Sequence, residues 1–141
     1  MASHRQLPWR VAGHLTLFIS MLFAPFPGCS GPAAPKLTPE EEAANKANDA
    51  LFNGEFDNAI EDFSRAIELN GQKADYYLNR GIAYCGQKHY EDAIKDLDKA
   101  IELDGTLSAA FHHRSLAHAA LGHSDQAEKD ALEAKRLAPG S

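Results

Sequence analysis

Four histidines near the end of the chain are the side chains whose type most suggests metal chemistry: His112, His113, His118 and His123. Two histidines of one helix can share a metal ion when they are three or four positions apart, as in H-E-x-x-H. Here the steps from His113 to His118 and from His118 to His123 are both five residues, and no second cysteine or compact carboxylate set joins them. The sequence therefore predicts no metal site. We expect these histidines to be solvated or to line a binding surface.

The two cysteines, Cys29 and Cys85, predict neither a disulfide framework nor a catalytic thiol. No base is placed to activate Cys85, so a small apolar filler is its expected role. The chain also has no nucleophile elbow, no phosphate-binding glycine loop and no isolated carboxylate pair in an apolar setting. We therefore predict no catalytic residues, no enzymatic activity and no cofactor.

The charge balance argues against nucleic acid as a partner. All 20 acidic residues and 12 of the 14 basic residues follow residue 28, so this part of the chain carries a formal charge of −8. Binding to nucleic acid requires clustered lysine and arginine that displace counterions from phosphates. No basic run interrupts the acidic average.

The first residues have the pattern of an export signal. Arg5 and Arg10 precede an apolar run at 11–26, which His14 and Pro25 interrupt and which is too short for a good membrane span. We predict a signal peptide over residues 1–28, with an uncleaved signal-anchor as the alternative.

The Gly28-Cys29 step resembles the cleavage site of bacterial lipoproteins, in which the cysteine is lipidated and becomes the mature N-terminus. Phe26 and Pro27 depart from that pattern. The resemblance implies a lipid anchor at Cys29, a flexible tether over 29–38 and a location in the cell envelope, either periplasmic or membrane-anchored. Ordinary secretion is the alternative.

One phrase occurs three times at a spacing of 34 residues, beginning at Phe56, Tyr90 and Ser124. A constant period of this length predicts a solenoid, in which each unit buries its apolar face on its neighbours. Residues 40–141 divide into three such units, 40–73, 74–107 and 108–141. The copies align at three sets of positions: Ala59, Ala93 and Ala127; Ala66, Ala100 and Ala134; Leu69, Leu103 and Leu137.

Apolar spacing within each unit predicts two helices and no strand. In the second unit the helices are expected over 74–87 and 90–103, joined at Lys88 and His89. Thr38, Pro39 and Glu41 predict a capping box where the solenoid begins. Gly71 and Gly105 are expected to end helices in the left-handed conformation. The predicted fold class is all-α.

These units resemble the tetratricopeptide repeat. The second unit matches best, although Arg80 replaces the leucine of the family and Gly105 its proline. The resemblance implies an α-solenoid of three helix-turn-helix repeats in a right-handed superhelical stack. The matching residues are Gly54, Phe56, Ala59, Phe63 and Ala66 in the first unit; Tyr77, Gly81, Tyr84, Tyr90, Ala93, Leu97 and Ala100 in the second; and Phe111, Gly122, Ala127, Ala134 and Pro139 in the third.

The third unit replaces apolar residues of the earlier copies by polar or small ones. Glu128 stands where the others have isoleucine, as does Lys135, and Ala131 replaces Phe63 and Leu97. A terminal repeat has no following neighbour, so a polar outer face keeps it soluble. We predict that the last helix is its own cap.

The resemblance also implies a groove for peptides or partner helices on the concave side of the first helix of each unit. Transferred to this chain, the groove comprises Ala44, Asn48, Leu51, Phe52, Leu78, Asn79, Ile82, Cys85, His112, His113 and Leu116. Family members that act as chaperone adaptors grip a C-terminal carboxylate with two asparagines and three basic residues. Asn48 and Asn79 match the asparagines, but the basic positions are Ala44, Ala109 and His113, so we predict that this clamp is absent.

The sequence thus predicts an exported, non-catalytic protein-interaction module that binds a peptide or partner helix in its groove. The alternative is a self-associating structural component of the cell envelope. An enzyme or a metal carrier would rest only on the histidine cluster.

Overall fold

The structure, a computed structural model, describes residues 36–138; the predicted signal peptide, Cys29 and Pro139 lie outside the described residues. Within residues 36–138 the chain forms helices and no strand. The first helices of the three pairs are α1 (Pro39–Phe52), α3 (Ala74–Gly86) and α5 (Ser108–Ala120), and the second helices are α2 (Phe56–Leu69), α4 (Tyr90–Leu103) and α6 (Ser124–Leu137). Each helix packs on the next, and first helices also contact the first helix of the neighbouring pair. The predicted all-α helical-repeat solenoid is confirmed.

The solenoid begins with the predicted capping box. The Glu41 backbone N–H donates to Thr38 Oγ1 at 3.4 Å, and the Thr38 backbone N–H donates to Glu41 Oε2 at 2.9 Å. Pro39 occupies the first helical position, where its missing N–H is not needed. These bonds satisfy backbone groups that the helix itself leaves without partners.

All three first helices end in the same left-handed turn. Gly54, Lys88 and Gly122 have φ angles of 77°, 64° and 78°, and they stand 34 residues apart. In each turn the next residue donates back to the carbonyl five positions earlier, as His89 does to Tyr84 at 2.9 Å. This pattern is the Schellman motif, which favours glycine at the left-handed residue. The second unit makes the same turn with a lysine.

The second helices end differently, and the prediction that Gly71 and Gly105 are left-handed is wrong. Left-handed backbone occurs in the described part of the chain only at the three turns above. Asn70 and Asp104 instead end α2 and α4 in extended backbone, and the Asp104 carboxylate accepts from the Thr106 N–H at 2.9 Å. A polar side chain thus satisfies the backbone that a left-handed glycine would otherwise serve.

Two large side chains, Phe63 and Leu97, are fully buried at equivalent positions of α2 and α4, and alanines surround them. A Cβ atom on Gly81 would lie 2.9 Å from Leu97 Cγ, so the glycine permits α3 to approach α4 closely. In the third unit Ala131 takes the position of these large residues and is exposed, as are Glu128 and Lys135.

A charged pair recurs in every repeat. Arg80 Nε and Nη2 donate to the buried Asp96 carboxylate at 2.7 and 2.8 Å, and Nη1 donates to Ser64 of the preceding repeat at 2.9 Å. Arg114 likewise holds Asp130 at 2.7 Å and reaches back to Asp98 at 2.6 Å. We call these two groups the arginine bridges. In the first repeat, Lys46 Nζ lies 2.9 Å from the buried carboxylate of Asp62.

Candidate binding groove

One surface of the described chain is formed by the first helices α1, α3 and α5, which lie side by side. We call this surface the groove. Its outward side chains come from equivalent positions of the three repeats, which is why they align across the helices. The predicted residues that are exposed or half-buried there are Asn48, Leu51, Asn79, Ile82, Cys85, His112, His113 and Leu116.

Three predicted members have a different environment. Leu78 is only 8% exposed and packs with Leu97, Ala93 and Ala110, so the structure assigns it to the core rather than to the groove. Phe52 is 92% exposed in the last turn of α1. Ala44 is buried as well. After Phe52, Leu116 is the most exposed large apolar side chain among the predicted groove residues, at 51%.

Asn48 and Asn79 join α1 to α3 at the groove surface. The Asn79 amide Nδ2 donates to Asn48 Oδ1 at 3.1 Å. Two asparagine side chains offer more donors and acceptors than this single bond uses. The pair can therefore also bond to the backbone of a peptide.

Acidic side chains lie next to this asparagine pair, and the sequence reasoning did not include them in the groove. An open pocket of about 330 Å³ lies between α1 and α3. Its lining comprises Leu37, Glu41, Ala44, Asn45, Asn48, Asp75, Tyr76 and Asn79. Glu41 and Asp75 occupy the same position of two successive repeats, which is the signal that would have identified them.

The acidic residues give this end of the groove a negative field. Hydrogen bonds with Thr38 hold the pKa of Glu41 below its ordinary value, so its carboxylate stays ionised. Burial, together with the charges of Glu40, Glu41 and Asp75, raises the pKa of Tyr76.

The opposite end of the groove carries two adjacent histidines, whose ring centroids are 5.4 Å apart. Burial, and after it the neighbouring His112, lowers the pKa of His113. His113 is therefore neutral at pH 7, and it does not supply the positive charge that a bound carboxylate would need.

Cys85 is half-buried between groove and core, and burial raises the pKa of its thiol. A raised pKa disfavours the thiolate, which is the nucleophilic form. This environment agrees with the expected role of Cys85 as an apolar filler.

The turn between α5 and α6 brings His118 and His123 together, despite their spacing of five residues. Their Nδ1 atoms are 3.4 Å apart, and His118 Nε2 lies 4.0 Å from Asp130. Across residues 36–138, however, no three histidine, cysteine or acidic side chains are grouped so that they could hold a metal ion.

The helices of this region are also too short to cross a membrane.

The last repeat exposes a second apolar patch away from the groove. Leu132 of α6 is 62% exposed and borders an open pocket of about 500 Å³, together with Phe111 and Arg114. Leu132 occupies the repeat position at which Ser64 and Asp98 receive the arginine of the following repeat. This patch is thus the surface on which a further repeat would pack.

Known proteins with similar sequence or structure share this architecture. The tetratricopeptide-repeat profile matches residues 45–109. Serine/threonine-protein phosphatase 5 of Rattus norvegicus is 42% identical over 59 residues, which are 42% of this chain but only 12% of the phosphatase. The chain thus matches a small part of that enzyme.

Two solved structures extend the comparison over most of the folded region. The TPR domain of Arabidopsis OM64 superposes with a TM-score of 0.70 at 29% identity, covering 72% of this chain and 84% of that domain. The second TPR domain of human RPAP3, solved with the HSP70 peptide SGPTIEEVD, gives a TM-score of 0.66 at 34% identity, covering 72% of this chain and 88% of that domain. With three helix pairs on a 34-residue period, the chain belongs to the tetratricopeptide-repeat family and has the architecture of a protein-interaction module.

Proposed function

We propose that this chain is an exported, non-catalytic module that binds an extended peptide or a partner helix in the groove of α1, α3 and α5. The observation that carries the proposal is the composition of that surface. The exposed Leu116 and the half-buried Leu51 and Ile82 offer apolar contact beside the Asn48–Asn79 amide pair. The related RPAP3 domain is bound to a peptide, which supports the same use here.

A preformed groove favours binding because little of it must be ordered when the partner arrives. Packed helices hold α3 on both flanks, and they hold α1 and α5 on every flank except the outer one. Rigid binding surfaces lose less conformational entropy on association than flexible ones. Affinity can therefore come from a modest contact area.

A pair of leucine substitutions tests the proposal. Leu116→Glu places a charge in the groove, whereas Leu132→Glu places one on the last helix, and both side chains are more than half exposed in the wild type. We expect affinity capture from an envelope extract to lose its partner with Leu116→Glu and to retain it with Leu132→Glu. Circular dichroism must show equal helicity in both variants. Equal capture by both would contradict binding in the groove.

Export through the segment 1–28, with a lipid anchor at Cys29, is the second part of the proposal. Its basis is the sequence pattern of charged, apolar and small residues that ends at Gly28 and Cys29. If Cys29 carries lipid, Cys29→Ala should move the protein from the membrane fraction to the soluble fraction. An unchanged distribution would remove the lipid anchor and leave ordinary secretion or an uncleaved anchor.

Self-association into an envelope component is the alternative, and the exposed Leu132 patch is the observation that favours it. In that case the mass measured by sedimentation should rise with protein concentration. Leu132→Glu, rather than Leu116→Glu, should then abolish the effect.

A further inference from the structure

We propose that the occupant of the groove is a peptide segment in which lysine or arginine stands beside apolar residues, and not an acidic C-terminal tail. This inference rests on the proposed function, because it names the chemistry of the partner for the same groove. It follows from the way charge is distributed over the three first helices.

Each first helix contains a single lysine or arginine: Lys46 in α1, Arg80 in α3 and Arg114 in α5. All three turn toward a buried aspartate of the second helix in the same repeat, at 2.7 to 2.9 Å. Each of these cations is thus paired with an aspartate, and the side chains of Arg80 and Arg114 are largely buried in their pairs, whereas that of Lys46 is 70% exposed. A partner carboxylate would therefore have to compete with a buried aspartate for each lysine or arginine of α1, α3 and α5.

The acidic residues of these helices have no such partners in the second helices. Burial, and after it the negative charges of Glu40, Glu41 and Asp75, raises the pKa of Tyr76. Of these acidic residues, Glu41 and Asp75 line the pocket beside the asparagine pair. After the hydrogen bonds with Thr38, the charge of Lys73, which precedes α3, also lowers the pKa of Glu41. The charge at this end of the groove remains negative, and an ammonium or guanidinium group complements it.

The rest of the groove sets the remaining chemistry of the segment. Ile82 and Leu116 occupy the same repeat position of α3 and α5, whereas Leu51 of α1 occupies the position of Cys85; all three offer apolar contact. The Asn48–Asn79 pair lies beside the acidic pocket and can bond to peptide backbone. A basic side chain near the pocket, followed by apolar side chains toward α5, matches this order.

The experiment is selection of a displayed library of random nonapeptides on four immobilised proteins. These are the wild type, the groove-neutral variant Glu41→Gln/Asp75→Asn, the control Glu61→Gln/Glu68→Gln, and Leu116→Glu. The control removes two exposed charges from α2, outside the groove. Glutamine at residue 41 can still complete the capping box, so the helix start is preserved.

We expect wild type and control to enrich peptides with more lysine and arginine than the input library, and the groove-neutral variant to lose that excess. A synthetic copy of the best wild-type peptide should bind the groove-neutral variant about fivefold more weakly, because exposed charge pairs each contribute little. The acidic peptide SGPTIEEVD should show no saturable binding to the wild type.

The outcomes separate the two proposals. If peptides are enriched that are not basic, or if SGPTIEEVD binds the wild type, the inference fails while groove binding stands. If the groove-neutral variant selects the same basic peptides with unchanged affinity, the inference fails as well. If nothing is enriched, or if enrichment is insensitive to Leu116→Glu, the proposed function itself fails.

Discussion

At the residue scale, Lys88 has a backbone conformation that lysine adopts at a cost. Its φ angle of 64° matches those of Gly54 and Gly122, which make the same turn in the other two repeats. A side chain in left-handed backbone brings its Cβ too close to the neighbouring carbonyl oxygen, which costs about 1 kcal/mol or more. The other repeats avoid this strain because glycine has no Cβ.

Lys88→Gly should therefore stabilise the protein. We expect the free energy of unfolding to rise by about 1 kcal/mol because the strain is removed. Part of this gain is offset, because glycine increases the conformational entropy of the unfolded chain. Chemical denaturation with urea measures it. Lys88→Ala is the matched control, since it removes the long side chain but keeps the Cβ, and it should give no comparable gain. If both variants behave alike, the strain is not the cause.

His113 is the second residue with a measurable consequence. Its folded pKa is lowered by burial from about 6.5, so the unfolded chain binds the proton more readily. The stability that depends on neutral His113 is fully present above pH 6.5, and it is lost as pH falls through the folded pKa. Between pH 7 and 5 the free energy of unfolding should fall less steeply in His113→Gln than in the wild type. Equal slopes would show that His113 does not contribute.

At the element scale, the arginine bridges tie α3 and α5 each to two second helices. Arg80 belongs to α3, and its guanidinium holds Asp96 of α4 and Ser64 of α2. The side chains of Arg80 and Asp96 are 18% and 10% exposed, so water screens the pair weakly. The bridges thus fix how successive repeats sit on one another.

Arg80→Leu, which restores the residue usual in the family, should destabilise this protein. It leaves the buried Asp96 charge without its partner, and we expect a loss of about 3 kcal/mol in the free energy of unfolding. Adding Asp96→Leu should recover most of that loss. Lys95→Ala is the control, because it breaks an exposed pair with Asp92 and should have no resolvable effect. If the single and double Arg80 variants are equally unstable, the unpaired charge is not the reason.

The helices were largely predictable from the sequence, but the arginine bridges were not. Thr38, Pro39 and Glu41 act locally, so their spacing alone predicts the start of α1. Arginine and aspartate on amphipathic helices usually face water, and nothing in a single repeat distinguishes the buried pair. The distinguishing signal is the step of 16 residues between base and acid in all three repeats. The prediction for Gly71 and Gly105 is wrong because the side chains of Asn70 and Asp104 accept hydrogen bonds from the backbone N–H groups of Gln72 and Thr106 and so end the helices without a left-handed residue.

At the scale of the whole molecule, the two surfaces of interest differ in how they arise. The groove depends on side chains from three helices that only the stacked repeats bring together. The sequence predicted most of its members by alignment, but it could not show that Leu78 turns inward or that Glu41 and Asp75 border the asparagine pair. The surface of the last repeat arises instead because α6 has Glu128, Ala131 and Lys135 where α2 and α4 have large apolar residues.

Restoring the apolar residues of α6 should make the solenoid associate with itself. Glu128 and Lys135 are exposed where the earlier repeats have partly buried isoleucines. The variant Glu128→Ile/Lys135→Ile would create a larger apolar surface beside Leu132, and we expect dimers or larger species by light scattering. Glu61→Ile on α2 is a control for added surface apolarity. A monomeric double variant would contradict the view that α6 caps the stack.

The arginine bridges also decide where the chain can gain length. Residues 74–107 contain both halves of a bridge between repeats, since Arg80 reaches back to the preceding repeat and Asp98 receives Arg114 from the following one. A tandem duplication of this stretch would give the new arginine an acceptor in Asp98 and would offer its own aspartate to Arg114. A repeat added after α6 would meet Leu132, whose side chain has no oxygen to accept the bond. Insertion in the middle would therefore keep every arginine bridge, whereas a repeat added after α6 would lack the bond to its predecessor.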